Sequence, residues 1–271
     1  MSGTILKNWT YIHNKNYNWN MEKSMNVTQT VNQQIDRMKP GKLFSYQDIS
    51  SYAEHSDAVV KAISRNSKKL GLVKIKKGLF YKSEIGRFGP MAPKDNDVIN
   101  YFTSRKSRTV GYITGPALYY RWGLTTQIPA EVNIATSIEK REKATLSGFR
   151  IVTTPSRYKK VSKNNIQFLQ FLDVLKNIDR IPDAETGEVT SKLAERLKNL
   201  SSDRITEMEK IAIEAYTERT KALLGSFLEN YLGHFSEKLH ESLNPTSKYN
   251  FSYFYKWKNA ESHWHLTSNK K

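Results

Sequence analysis

Apolar positions between residues 27 and 38 recur at spacings of four, four and three. Val27, Val31, Ile35 and Met38 therefore share one face of a predicted helix, which Pro40 and Gly41 end. Leu43-Phe44 reads as a short extended piece. Ser45, with Asp48 three residues on, then reads as the N-cap of a second helix running through Ile49 and Tyr52. His55 or Ser56 caps a third helix, DAVVKAISRNSKKL, which Gly71 terminates. In LVKIKKGLFYK the residues Leu72, Val73, Ile75, Leu79, Phe80 and Tyr81 make two short strands around a Lys76-Lys77-Gly78 turn. Helix, short strand, helix, helix, hairpin is the order of a winged helix-turn-helix, here predicted over residues 25–86. Residues 1–24, rich in Asn, Lys, Tyr and Trp and without periodicity, read as a flexible arm, and Met1, Met21 or Met25 could each be the true start.

GRFGPMAPK at 86–94 reads as a linker or a turn into a second domain, 87–271. There the pattern predicts a helix around Asp95–Phe102, a strand at Gly111–Ile113, a short helix at Pro116–Trp122, and strands at Val132–Ala135 and Phe149–Thr153. The basic IEKREKATLSG between the last two suits a hairpin. Helical spacing then takes over around Ile166–Ile178, at Thr190–Leu200, and in a long helix from Asp203 to about Leu232. The stretch NFSYFYKWKNAESHWHL alternates enough to be strand-like, its aromatics covering a core in preference to stacking on bases. The expected fold class is α+β: an N-terminal winged helix followed by a larger mixed α/β domain with a helical end.

Composition adds a partner. The 271 residues carry 43 Lys plus Arg against 26 Asp plus Glu, a formal charge of +17. Residues 1–90 hold +9 of it, residues 91–160 hold +7, and residues 161–271 only +1. Solubilising charge would be spread along the chain, whereas charge gathered on particular elements is the footprint expected for nucleic acid. In the third helix, Val59 or Val60, Ile63 and Leu70 must face the first two helices, which turns Lys61, Ser64, Arg65 and Lys68 outward together. Such a helix fits the major groove, where Arg can contact guanine in bidentate fashion and Lys can reach phosphate. Lys74, Lys76 and Lys77 lie where a wing would run along the backbone or minor groove. The polar pair Asn66-Ser67 leaves the helix phase open by one position.

Other classes recede. Without cysteine there is no disulfide framework, no Cys-ligated zinc finger and no thiol nucleophile. No apolar run approaches the roughly 18 residues of a membrane span. The N-terminus lacks the apolar core of a secretory signal, so a cytoplasmic location is expected. A nuclease or nucleotidyltransferase needs a metal-binding carboxylate set. Gly225-Ser226 inside a predicted helix and Asp95-Asn96-Asp97 at a helix start lack the partners for it. His263 and His265, alternate residues of the strand-like stretch, could hold a metal but have no third ligand nearby. Glu207, Glu214 and Glu218 read as a solvated helix face. The expectation is a protein that is not an enzyme and needs neither metal nor cofactor.

Several runs together resemble the AbiEi family of antitoxins of type IV toxin–antitoxin systems, which contribute to abortive infection by phage. They are RMKPGKLFSYQDIS…AVVKAISR…KGLFYKS, the RFGPMAPKDNDVI turn, the central GYITGPALYYRWGLTTQIPAEVNIAT, and YTERTKALLGSFLE at Tyr216–Glu229. The resemblance covers roughly residues 30–232, and the central block is its most specific part. It implies an autorepressor that binds inverted repeats in double-stranded DNA of its own promoter, cooperatively or as a dimer, through basic residues of both domains. It also implies a C-terminal domain that counteracts a nucleotidyltransferase-like toxin without forming a stable complex with it. A winged-helix transcription regulator with no toxin partner is the alternative.

Overall fold

A computed structural model describes residues 26–138, 141–146, 149–251 and 257–268. The predicted arm, and with it Met1, Met21 and Met25 as candidate starts, lies outside the described residues. The fold is mixed α+β and divides into two compact units, Met1–Val98 and Ile99–Lys271. No helix among the described residues is long and apolar enough to cross a membrane.

The first unit starts with α1 (Val27–Asp36), capped by Asn26, whose side chain accepts the Thr28 N–H. Strand β1 (Leu43–Ser45) follows, then two 3-10 turns (Tyr46–Asp48 and Ser50–Tyr52), α2 (Ser56–Asn66), β2 (Leu72–Lys76) and β3 (Leu79–Lys82). The strands form an antiparallel sheet in the order β1-β3-β2, with a bulge in β2 between Lys74 and Lys76. Val31, Ile35, Phe44, Ile49, Val59, Ala62, Ile63, Leu70 and Phe80 are its buried core. Gly78 turns the hairpin at φ +78° beneath the Tyr46 ring, a backbone conformation that favours glycine. A two-stranded ladder, β4 (Ile85–Gly86) with β5 (Gly89–Pro90), follows.

The expected second helix is replaced by the two 3-10 turns. Gln34 is the reason. Its Oε1 accepts the Ser50 N–H and its Nε2 donates to the Asp48 carbonyl, so α1 supplies the partners that a continuing helix would have used. Ile49, between the turns, is extended and buried. The predicted capping pair is present within the first turn, where the Ser45 N–H and Oγ both donate to Asp48 Oδ2. The third helix is also shorter than expected, ending at Asn66. Asn66 Nδ2 donates to Asn32 Oδ1 on α1, and a turn closed by Leu72 N–H to Ser67 O carries the chain to Gly71 at φ +62°.

The connecting α3 (Asp95–Thr103) is followed in the second unit by a small ladder, β6 (Ser104–Arg105) with β7 (Arg108–Thr109). A four-stranded sheet is built from β8 (Gly111–Thr114), β9 (Val132–Thr136), β10 (Lys143–Leu146) and β11 (Phe149–Pro155), with α4 (Pro116–Arg121) between β8 and β9. Its order is β10-β11-β9-β8, with β9 and β11 parallel and the other pairs antiparallel. Helices α5 (Ile166–Lys176), α6 (Thr186–Lys198), α7 (Ser202–Ala215), α8 (Glu218–Leu232) and α9 (Glu237–Glu241) follow. α5 is buried at Phe168, Leu169 and from Phe171 to Leu175, and packs against β8, α7 and α8. Strand β12 (Tyr249–Phe251) pairs in parallel with β13 (Leu266–Ser268).

Two expectations about this unit need correction. The long helix at 203–232 is two helices broken at Tyr216-Thr217, both extended in backbone. The break brings Tyr216 to α5, where its hydroxyl donates to Asp173 Oδ1. Of the strand-like C-terminal stretch, residues 252–256 lie outside the described residues, and residues 258–264 are turns, not strand, with Asn259 and His265 at positive φ. Its Trp264 is fully buried, and Tyr249 and Phe251 join the core.

Candidate nucleic-acid interface

Burial fixes the phase of α2. Val59, Ala62 and Ile63 are buried, and Val60 is half-buried. Lys61, Ser64 and Arg65 stand exposed at successive helical intervals, and Lys68 stands exposed in the turn that follows. None of the three basic groups has an ion-pair partner among the described residues. On the hairpin, Lys74 and Lys77 are exposed and Lys76 is half-buried. Lys82, at the far end of β3, is held differently: its Nζ donates to the Asp36 carbonyl at 2.8 Å and lies near the Asp36 carboxylate.

Two further features of this unit escaped the sequence reading. Lys69 is exposed beside Lys68. The Tyr46 ring stacks on Tyr52 with centroids 6.0 Å apart and also contacts Phe80, bracing the hairpin tip from the first 3-10 turn. The Lys-Lys pair at 68–69 was readable in the sequence, but the place of Tyr46 under Gly78 depends on the 3-10 turns.

In the second unit the acids read as a solvated helix face, and the two histidines set aside as a metal pair, have partners of their own. Glu207 pairs with Arg204, Glu214 with Lys160, and Glu218 accepts the Tyr249 hydroxyl. His263 Nδ1 meets the Glu229 carboxylate, whereas His265 Nδ1 meets the Ser247 carbonyl, so the two rings do not converge. No group of three potential metal-ligating side chains occurs among the described residues.

The sequence reading passed over Asp173, the lone acid in the apolar run IQFLQFLDVLK. Its carboxylate accepts hydroxyl hydrogen bonds from Thr114 at 2.8 Å, Tyr216 at 2.9 Å and Tyr112 at 3.0 Å. Burial raises its pKa above the ordinary carboxylate value, against the opposing pull of those hydrogen bonds. Burial, with the Asp173 charge nearby, pushes the Tyr119 hydroxyl up to about 12. An acid interrupting an otherwise apolar helix was the available signal.

Sequence comparison places this geometry in a family. The profile described as "Family of unknown function (DUF6088)" matches residues 30–222, from α1 into α8. The chain belongs to this family. Among solved structures, the RV2827C protein from Mycobacterium tuberculosis is similar at 11% identity and a TM-score of 0.47, over 90% of this chain and 91% of that one. A search of curated proteins finds no match. The DUF6088 match takes in both α2 with its hairpin and the four-stranded sheet of the second unit.

Proposed function

We propose that this DUF6088 protein is a DNA-binding repressor of its own operon and the antitoxin of a type IV toxin–antitoxin pair, with the first unit acting as a winged helix-turn-helix. The carrying observation is the shared exposure of Lys61, Ser64, Arg65 and Lys68 on one side of α2 and its following turn. In this reading α2 enters the major groove, Arg65 contacts a base edge, and Lys74, Lys76 and Lys77 hold the β2–β3 hairpin against the phosphate backbone. Asp57 in the first turn of α2 suits the helix dipole and leaves the basic end of the helix to the DNA. The antitoxin part rests on the resemblance of the central block to AbiEi proteins. It makes the toxin a nucleotidyltransferase-like product of the adjacent gene, counteracted without a stable complex.

Gel shifts with the region upstream of its own gene test the DNA-binding part. The expected complex prefers that sequence over competitor DNA, and log K falls with log salt by about 0.9 per phosphate neutralised. A chain that forms no salt-sensitive, sequence-preferring complex is not this repressor. Co-expression with the neighbouring gene tests the antitoxin part. Growth rescued by the full chain supports it, while toxicity that the chain does not relieve leaves a transcription regulator without a toxin.

A further inference from the structure

A cavity of about 720 Å³ opens in the second unit beside the Asp173 network. Four cationic side chains line it. Arg141 lies just before β10, and the other three are Arg157 just after β11, Lys176 at the last position of α5, and Arg180 in the 3-10 turn that follows. None of the three forms an ion pair among the described residues. Asp173 is the carboxylate that lines the same cavity, and three hydroxyl donors already occupy its oxygens. Burial lowers the Lys176 pKa, and the nearby Arg157 and Arg180 charges lower it further against the attraction of Asp173. Like charges held together around a concave polar surface, with the one local carboxylate committed elsewhere, are stabilised by a bound anion.

The anion has a size and a chemistry. The volume lies within the range of roughly 300–1,000 Å³ that holds small organic ligands, well above the need of a single inorganic ion. Guanidinium groups match phosphate oxygens in bidentate geometry, and an ammonium adds a point charge. Tyr119 and Asn133 on the wall offer a ring and an amide to the remainder of the ligand. We propose that this cavity binds a nucleotide through its phosphate groups, held by Arg157, Lys176 and Arg180. The assignment belongs to the second unit alone and stands whether or not the first unit binds DNA.

Phosphate on a nucleoside can come from a free nucleotide or from the 5′ end of a strand, and calorimetric titration of the full chain separates the two. The probes are ATP, AMP, adenosine, and a trinucleotide with and without a 5′ phosphate. Saturable binding of AMP or ATP with adenosine at least about tenfold weaker supports the site, as charge-assisted hydrogen bonds imply. A 5′-phosphorylated trinucleotide that outcompetes ATP also supports it and assigns the phosphate to a strand end. Arg180→Gln and Arg157→Gln alter exposed side chains, and each is expected to weaken binding about tenfold at unchanged melting temperature. Lys61→Ala is expected to leave nucleotide binding unchanged. No saturable binding by any phosphorylated probe at millimolar concentration overturns the proposal. So does adenosine binding as tightly as AMP, or affinity indifferent to both arginine substitutions.

Discussion

Trp264 lies directly on Gly225. A β-carbon at Gly225 would come within 2.1–2.4 Å of three carbons of the indole six-membered ring, so α8 accepts this fully buried side chain only where it has no side chain of its own. One helical turn on, Glu229 Oε2 takes the indole N–H at 2.7 Å. The glycine that sequence reading placed in an Ala-Leu-Leu-Gly helix is thus a seat for an aromatic residue 39 positions later in the chain.

Gly225→Ala is expected to destabilise the second unit by up to about 2 kcal/mol. Helix propensity alone favours alanine by about 1 kcal/mol, but overpacking a filled core costs roughly 1–3 kcal/mol and commonly prevails where the neighbour is a rigid ring. Thermal denaturation should show a midpoint several degrees lower. In a Trp264→Leu background the same glycine substitution should cost much less. An unchanged midpoint in the single variant would contradict the close approach.

Glu229 carries a pH prediction. Burial pushes its carboxyl up, but hydrogen bonds from Asn259, Trp264 and His263, with the His263 charge, outweigh burial and leave the pKa below its ordinary value. A carboxylate with a depressed folded-state pKa contributes stability above its unfolded pKa and loses it as pH falls through the folded one. Glu229→Gln is therefore expected to lower stability by about 1–3 kcal/mol at pH 7. The gap from the parent chain should close as pH drops below the usual carboxylate range. Denaturant midpoints measured across pH 3 to 8 check both the size and the direction.

Asp173 has the opposite sign. Its pKa is raised, chiefly by burial, against the hydrogen bonds from Thr114, Tyr216 and Tyr112 that favour the charged form. Its contribution is fully present below the unfolded carboxylate pKa and declines as pH rises through the raised folded value. Asp173→Asn, which cannot ionise, should compare worst with the parent in acid and gain on it toward neutral pH. Asp173→Leu should be destabilised by a few kcal/mol at every pH, because the hydroxyls of Thr114, Tyr112 and Tyr216 lose their shared acceptor. A parent-minus-Asn difference that grows with pH would refute the assignment.

On DNA, Arg65→Ala and Lys77→Ala should separate. Loss of Arg65 is expected to cost about 1–3 kcal/mol on the preferred sequence and little on competitor DNA. Loss of Lys77 should weaken both alike and reduce the salt slope by about 0.9. Fluorescence anisotropy on matched and scrambled duplexes at several salt concentrations reads both effects. Identical behaviour of the two variants would remove the distinction between a reading helix and a clamping hairpin.

What could be read from the sequence was local. Val27, Val31 and Ile35 marked the buried side of α1, and Val59 and Ile63 marked that of α2, because burial follows the 3.6-residue repeat wherever a helix runs uninterrupted. The failures came from side chains acting at a distance. Gln34 reaches 16 positions along the chain to take the Ser50 N–H, and no local propensity encodes that. His263 and His265 looked like strand neighbours because apolar alternation carries no information about the positive φ values at Asn259 and His265. The cationic cavity was invisible for a related reason: Arg157, Lys176 and Arg180 are ordinary surface residues in sequence, united only by the end of α5 and the return of β11.

The bend at Tyr216-Thr217 ties the junction of α7 and α8 to α5. Its fixing contact joins residues 43 positions apart, Tyr216 and Asp173, while the apolar spacing on either side favours one continuous helix. The angle between α7 and α8 therefore rests on a contact that exists only once α5 has docked, when Asp173 brings its acceptor oxygens to Tyr216.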